Sequence, residues 1–367
     1  MAFDGLVISA LVHELNQTII DTKISKIAQP ENDELLFTLK GKGGQFRLAM
    51  SASASLPFLY LTESNKQAPL VAPNFCMVLR KHIANGRITR ITQPHMERII
   101  RFEIEHLNEL GDLCTKTLVV ELMGKHSNII FCNENGMIID SIKHVSSLMS
   151  SVREVLPGRM YEIPSTQDDK LDPLAATETD FTETAMNRPI AAAKAIYTTF
   201  TGISPVIANE ICYRASIDGD APAASLDTDA RKHLYNNFAW MMEDAAQNRY
   251  CPNIVNQGKE PVDFSCFVLT EYVGTVNQNA HTGNKTEGQD SAQRGAFFSG
   301  TASGQMSGND PAPQYTMTEY ASMSKVLEEY YAAKNVYTRI RQKSVDMRKI
   351  VVTPFSRIRQ TYQLQAR

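Results

Sequence analysis

The sequence has few of the features that mark membrane, secreted or metal-binding proteins. The chain has 367 residues. No uninterrupted apolar run in it approaches the roughly 18 residues of a transmembrane helix. No basic segment precedes the first apolar residues, so we expect no signal peptide. The six cysteines are far apart in sequence, which predicts free, buried thiols in a reducing compartment and neither a disulfide framework nor a zinc site. We therefore expect a cytoplasmic protein with no membrane contact and no metal.

The sequence also lacks the short motifs of common enzymes. It contains no Gly-x-Ser-x-Gly, no His-Glu-x-x-His and no Gly-x-Gly-x-x-Gly in a nucleotide-binding context. The segment Gly124-Lys125-His126-Ser127-Asn128 is not a P-loop, because the earlier glycine and the strand-loop-helix context are missing. We expect neither catalytic residues nor a cofactor.

Net charge is small, at −3, but the cations are clustered. Residues 334–367 carry nine Lys or Arg against one acid, and residues 80–101 carry six against one. Two basic tracts on an acidic chain favour local contact with a polyanion. In a chain of this length, each tract alone is also compatible with a chance run of solvated charges.

Hydrophobic spacing predicts an antiparallel α+β domain first. Helices are expected over 6–20, with Asp4 as cap, and over 75–83. Strands are expected in hairpins around Gly41-Lys42-Gly43-Gly44 and Asn133-Glu134-Asn135-Gly136, and also over 57–61, 99–104 and 117–123.

The second half of the chain changes character. Alanine-rich segments over 190–200, 205–215 and 229–247 predict helices, and 264–272 predicts a strand. Residues 274–314 are mostly small and polar and contain almost no aliphatic side chain, which predicts a disordered loop. From Thr318, apolar residues at spacings of three and four, including Tyr337, predict a long amphipathic helix that Pro354 interrupts. The chain stops at Arg367 within this basic segment, which suggests a truncation.

Several motifs, in order along the chain, resemble the NFACT family of RqcH/NEMF-type ribosome quality-control factors, whose bacterial members are also called fibronectin-binding protein A. They are Phe3-Asp4-Gly5, Phe75-Cys76-Met77-Val78-Leu79-Arg80-Lys81-His82-Ile83, Glu97-Arg98-Ile99-Ile100, Glu121-Leu122-Met123-Gly124-Lys125-His126-Ser127-Asn128, Ile142-Lys143-His144, Leu156-Pro157-Gly158, Gly202-Ile203-Ser204-Pro205 and Asp346-Met347-Arg348-Lys349-Ile350-Val351-Val352. Each motif is weak alone, and the resemblance rests on their collinearity over nearly the whole chain outside the polar loop.

The resemblance implies a division of the chain. Residues 1–172 would form an NFACT-N domain, similar in fold to the N-terminal domain of Fpg/Nei glycosylases, and 173–250 a helix-hairpin-helix domain. Residues 251–273 and 315–367 would form the base and start of a coiled-coil middle domain around the 274–314 loop. In the family, the coiled coil leads to a further domain, NFACT-R, which we do not expect within these 367 residues.

The resemblance also implies a function and partners. Family members bind tRNA and obstructed large ribosomal subunits with a stranded peptidyl-tRNA. They support template-independent C-terminal tailing of the nascent chain, with alanine, and so tRNA-Ala, in bacteria. The alternative is a surface adhesin for fibronectin. A DNA-processing role is not expected, since Ala2 and Phe3 stand where Fpg-type glycosylases have a proline nucleophile and a glutamate.

Site residues follow from the same resemblance. Glu97-Arg98 matches an Asp-Arg pair implicated in tRNA engagement, with Glu in place of the usual Asp, and Glu121-Leu122 matches a Glu-Ile pair also tied to tRNA. A surface ion pair is the alternative for the first pair, and core packing of Leu122 for the second. Arg80 and Lys81 on their helix, and Lys125 and His126 in their turn, are candidate RNA phosphate contacts, with Lys143-His144 weaker candidates.

Overall fold

The first helix begins where the sequence predicts it. In the computed structural model, which describes residues 3–108, 110–150, 152–164, 169–273 and 315–334, helix α1 spans Gly5–Thr18. The Asp4 carboxylate accepts a hydrogen bond of 2.9 Å from the Val7 amide and so satisfies one of the unpaired amides of the first turn. The apolar stripe of α1, including Leu11 and Leu15, is fully buried.

A nine-stranded antiparallel sheet forms the centre of the molecule, in the order β4-β3-β2-β1-β5-β6-β7-β8-β9. The strands are β1 Lys23–Glu31, β2 Glu34–Gly41, β3 Gly44–Ser51, β4 Phe58–Leu61, β5 Arg87–Thr92, β6 Ile99–Leu107, β7 Leu113–Glu121, β8 Asn128–Cys132 and β9 Ile138–Ser141. Helix α2, Asn74–Ile83, lies in the connection between β4 and β5. The predicted α+β class with an antiparallel, β-rich first part is confirmed.

Both predicted hairpins are present. In the first, Gly41 pairs with Gly44 across the turn. In the second, the Asn133 side chain accepts hydrogen bonds from the amides of Asn135 and Met137, at 3.0 and 2.9 Å. Asparagine favours turns because its side chain forms such hydrogen bonds with the nearby backbone. Both hairpins could therefore be predicted from local sequence.

The sheet is covered on both faces in its second half. Ile100, Phe102 and Ile104 of β6 point into the main core with α1 and α2. Ile99, on the opposite face, belongs to a second cluster with residues of β7, β8 and β9. Residues 152–163, which we call the outer strap, lie over this second cluster and contribute Val155 to it.

Three helices follow the sheet: α3, Ala192–Thr199; α4, Pro205–Arg214; and α5, Thr228–Ala246. All three were predicted. Their packing centres on three buried aromatic rings, with centroids 5.8 Å apart for Phe181 and Phe200 and 4.7 Å apart for Phe200 and Phe238. Ser204 caps α4 by accepting from the Ile207 amide, and Pro205 occupies the first turn.

A small second sheet completes the described chain. Its strands are β10 Asn253–Gln257, β11 Glu260–Ser265 and β12 Tyr315–Glu319, in the order β11-β10-β12. A helix over 323–334 follows. The predicted start of this helix at Thr318 is wrong, since Thr318 lies in β12. Tyr331 of the helix is buried against Phe3, with ring centroids 6.4 Å apart, so the two ends of the described chain share one core.

The predicted strand over 264–272 is wrong beyond Ser265. Residues Thr270–Val273 form a short helix, α6. Glu210 of α4 accepts hydrogen bonds from the Thr270 hydroxyl, at 2.7 Å, and from the Glu271 amide, at 3.1 Å. This cap comes from a residue distant in sequence, so local propensity does not reveal it.

The domain boundaries after 172 and 250 stay a prediction, since one hydrophobic core runs through all three proposed parts. The predicted disordered loop over 274–314 lies outside the described residues, as does the predicted helix beyond 334 with Tyr337 and Pro354. In the described part of the chain, no helix combines the length and apolarity needed to cross a bilayer.

Candidate nucleic-acid interface

A cleft of about 180 Å³ lies where α1, the start of β6 and α4 meet. It is lined by Phe3, Asp4, Gly5, Met96, Glu97, Arg98, Lys170, Tyr197, Gly202, Ile203, Ser204 and Pro205. The cleft therefore combines three of the collinear sequence motifs, those at Phe3-Asp4-Gly5, Glu97-Arg98 and Gly202-Ile203-Ser204-Pro205, which are far apart in the chain.

The backbone that presents Glu97 and Arg98 is unusual. His95 and Met96, which precede them, have φ angles of +47° and +56°, a left-handed conformation that non-glycine residues adopt at a cost. The Gln93 side chain supports this turn by donating to the carbonyls of Gly5, at 2.8 Å, and Glu97, at 2.9 Å. Strained backbone of this kind clusters at functional sites.

The charges in the cleft are mixed. Two cations, Arg98 and Lys170, face two carboxylates, Asp4 and Glu97. Burial lowers the pKa of Arg98, and the charges of Glu97 and Asp4 oppose that fall. Burial likewise lowers the pKa of Lys170, whose Nζ donates to the Tyr197 carbonyl at 3.0 Å.

Asp4 is the most buried ionisable group of the cleft, at 5% exposure. Burial raises the pKa of its carboxyl to about 6, although hydrogen bonds from Ser204 and the Val7 amide act in the other direction. The sequence predicted Asp4 only as a helix cap and gave no role to Lys170. The position of Asp4 in a shared motif with Gly5 was the one available signal for a wider role.

Glu121 and Leu122 are both buried. Their side chains are 0% and 1% exposed, so neither offers surface to a nucleic acid in this structure. Leu122 lies in the main core, which confirms the core alternative for that residue. Strand alternation puts Glu121 on the opposite face, where Arg153 and the Tyr161 hydroxyl, at 2.9 Å, bind its carboxylate. Direct tRNA contact by this pair stays a prediction, and burial argues against it.

The four candidate phosphate contacts are exposed but lie outside the cleft. Arg80 and Lys81 are on the exposed side of α2, and the Arg80 Nε donates to the Ile27 carbonyl at 2.9 Å. Lys125 and His126 are exposed in a single 3-10 turn, Gly124–His126. Arg80 lines a separate cavity beside Ile27, so it does not share the cleft of Arg98.

Lys143, a weaker candidate for phosphate contact, is held by hydrogen bonds within the protein. Its Nζ donates to the carbonyls of Ala52 and Ser127, and burial lowers its pKa. It therefore fastens the turn that carries Lys125. His144, in contrast, is exposed and pairs with Asp140 at 2.7 Å. In the part of the chain that the structure describes, no cluster of three or more His, Cys, Asp or Glu is arranged to hold a metal ion.

Comparison with known proteins places these features in context. The family described as NFACT N-terminal and middle domains matches residues 4–287. The Rqc2 homolog RqcH of Bacillus subtilis is 33% identical over 354 residues, which are 96% of this chain and 52% of that protein. The chain thus spans about half the length of this relative.

Two solved structures are similar over most of the chain. The fibrinogen binding protein from Staphylococcus aureus has a TM-score of 0.66 and 27% identity, over 90% of this chain and 99% of that one. The N-terminal part of the fibronectin/fibrinogen-binding protein from Streptococcus suis has a TM-score of 0.63 and 25% identity, with the same two coverages.

Proposed function

The chain belongs to the NFACT family, and from that premise we propose that it is an RNA-binding ribosome quality-control factor. It binds tRNA and obstructed large ribosomal subunits carrying peptidyl-tRNA. It supports template-independent C-terminal tailing of the stalled nascent chain, with alanine and tRNA-Ala if the source is bacterial. It acts in the cytoplasm, breaks no bonds itself and uses no cofactor. The name of the Bacillus subtilis relative, an Rqc2 homolog, supports the ribosome quality-control role.

The cleft at Arg98 is the observation that supports RNA binding most directly. Sequence-specific RNA recognition targets unpaired bases, which stack on arginine planes and are hydrogen-bonded at their edges. A guanidinium beside a carboxylate supplies both parts, because the carboxylate accepts from base amino groups. Two cations and two carboxylates give this cleft little net charge, which fits a base better than a bare phosphate.

Phosphate contacts would then come from the exposed cations outside the cleft. Arg80, Lys81, Lys125 and His126 have solvent-facing side chains and are the candidates. Because phosphate binding releases counterions, affinity for tRNA should fall steeply as salt concentration rises. Substituting one of these residues should weaken binding to all RNA sequences alike.

Binding of fluorescently labelled tRNA to the purified chain tests the proposal. Arg98→Ala should weaken binding while the protein remains folded. Arg249→Ala is the matched control, since Arg249 is a half-exposed arginine paired with Asp244 at 2.5 Å in the helical part. Equal tRNA affinity of the wild type and Arg98→Ala would remove Arg98 from the site.

Sedimentation with ribosomal particles tests the wider role. The chain should travel with isolated large subunits carrying peptidyl-tRNA and not with intact ribosomes. Absence from the large-subunit fraction under these conditions would contradict the ribosome assignment.

The titles of the two similar structures favour adhesion to fibronectin or fibrinogen as the alternative. Surface plasmon resonance on immobilised fibronectin, together with cell fractionation, separates the two proposals. Saturable binding that Arg98→Ala leaves unchanged, with most of the protein on the cell surface, would favour the adhesin.

A further inference from the structure

The two pairs that the resemblance links to tRNA, Glu121-Leu122 and Glu97-Arg98, are hydrogen-bonded to each other. The Leu122 amide donates a hydrogen bond of 2.9 Å to the Arg98 carbonyl. In the pairing of β6 with β7, Ile99 lies opposite Glu121. The end of β7 therefore fixes the main chain of Arg98 at the point where β6 begins.

The Glu121 carboxylate holds the outer strap. Arg153 binds one carboxylate oxygen and the Tyr161 hydroxyl binds the other, at 2.9 Å. Arg153 also donates to the Glu162 carbonyl, and its guanidinium lies 5.5 Å from the centre of the Tyr161 ring. A fully buried carboxylate is tolerated only when it is paired and hydrogen-bonded in this way.

The outer strap leads directly to the cleft. Ile163 and the following Pro164 line a cavity of about 280 Å³, and Glu97 and Lys170 belong to the lining of the same cavity. Both Glu97 and Lys170 also line the cleft itself. The carboxylate of Glu121 thus connects the end of β7, which holds the Arg98 main chain, to the segment that lines a cavity together with Glu97.

We propose that Glu121, Arg153 and Tyr161 are positioning residues for RNA binding: they hold the outer strap and the Glu97-Arg98 turn in one arrangement and do not touch the RNA. This inference rests on the proposed function, because it assigns the role of Glu121 through Arg98. Both pairs, Glu97-Arg98 and Glu121-Leu122, then serve a single binding site, and Glu121 stays buried while RNA is bound.

A double-mutant cycle on tRNA affinity tests the inference. The dissociation constant of labelled tRNA is measured for the wild type, Glu121→Gln, Arg98→Ala and the double variant. Glu121→Gln should weaken binding about tenfold in the wild-type background. It should have little further effect when Arg98 is already alanine, because residues acting through one another are not additive. Direct contact of Glu121 with RNA would instead give additive losses and would overturn the inference.

Two further variants separate positioning from general instability. Tyr161→Phe removes one hydroxyl and keeps the ring, so it tests the same link even if Glu121→Gln does not fold. Glu210→Gln is the matched control, since Glu210 is another fully buried carboxylate bound by an arginine, Arg214, at 2.6 Å. Its tRNA affinity should equal that of the wild type.

The outcomes are distinguishable. An affinity loss for Glu210→Gln as large as that for Glu121→Gln would show a general effect of destabilisation and would reject positioning. A normal affinity for both Glu121→Gln and Tyr161→Phe would reject it as well. If Arg98→Ala itself has no effect, the proposed binding site fails first, and the inference fails with it.

Discussion

The Gly5 amide donates a hydrogen bond of 2.9 Å to the Gly202 carbonyl. This contact joins the start of α1 to the loop before α4, and both glycines line the cleft. A Cβ atom on Gly5 would lie 2.1 Å from the Met96 carbonyl oxygen and 2.6 Å from the Gly202 Cα. The close approach of these three backbone segments therefore requires glycine at position 5.

Gly5→Ala should lower the free energy of unfolding by about 3 kcal/mol, because the added methyl group displaces backbone that has no room to move. Urea denaturation measures the change. Gly43→Ala is the control, since among the described residues a Cβ there meets the Phe46 ring alone, at an ordinary contact distance of 3.4 Å. Equal stability of Gly5→Ala and the wild type would mean that the three segments separate easily.

Asp4 should make the protein less stable as pH rises from about 4 to about 6. The folded state keeps a proton on this buried carboxyl up to its raised pKa of about 6, whereas the unfolded chain releases it near pH 4. The free energy of unfolding therefore falls by up to about 3 kcal/mol across this window and is level above it.

Asp4→Asn should lose that part of the pH dependence while it keeps the helix cap, since asparagine caps as well as aspartate. Urea denaturation of both proteins at a series of pH values measures the difference. Identical pH profiles would show that Asp4 titrates normally in the folded protein.

Arg98→Lys should bind tRNA about tenfold more weakly than the wild type, although the charge is retained. Lysine lacks the planar guanidinium that stacks on bases and donates in a fixed fork. Labelled-tRNA titrations at several salt concentrations measure the effect. If the site binds only a phosphate, lysine should restore full affinity, and the slope of affinity against salt should be unchanged.

Glu14→Ala should loosen the helix over 323–334. The Glu14 carboxylate accepts from the Ser324 amide at 3.0 Å, so a residue of α1 caps a helix far away in sequence. Loss of such a cap costs about 1 kcal/mol. Hydrogen exchange of residues 323–334 should become faster.

Glu329→Ala provides the comparison for this experiment. Glu329 is half-exposed on the same helix and pairs with Lys325, at 3.0 Å, and surface pairs contribute little. Exchange rates in Glu329→Ala should match the wild type. Equal rates in Glu14→Ala would show that the helix does not depend on α1.

Local pattern was sufficient to predict the elements whose causes lie nearby in the chain. Helix α1 follows from its apolar spacing and Asp4, and the hairpin at Asn133 follows from turn chemistry. Strands β1, β5, β10 and β12 were not predicted. Strands β1 and β5 each contain a bulge, between Ile24 and Lys26 and between Ile88 and Arg90, which breaks the two-residue period used to recognise strands.

The candidate site was predictable only in part, for a similar reason. Glu97-Arg98 was identified by resemblance, and the structure places it in a cleft. The partners of that pair come from other parts of the chain, and Lys170 stood in no recognised motif. The burial of Glu121 depends on Arg153 and Tyr161 in a strap that has little regular structure. Such long-range partners leave no periodic signal in the sequence.

The contact between Phe3 and Tyr331 also bears on the order in which the protein is made. Phe3 is synthesised long before the two rings that it contacts, Tyr331 and Phe264, whose centroids lie 6.4 and 6.1 Å from its own. Contacts between such distant residues slow folding. The packing around Phe3 is therefore complete only after nearly all of the described chain has been translated, and until then its apolar ring lacks these two contacts.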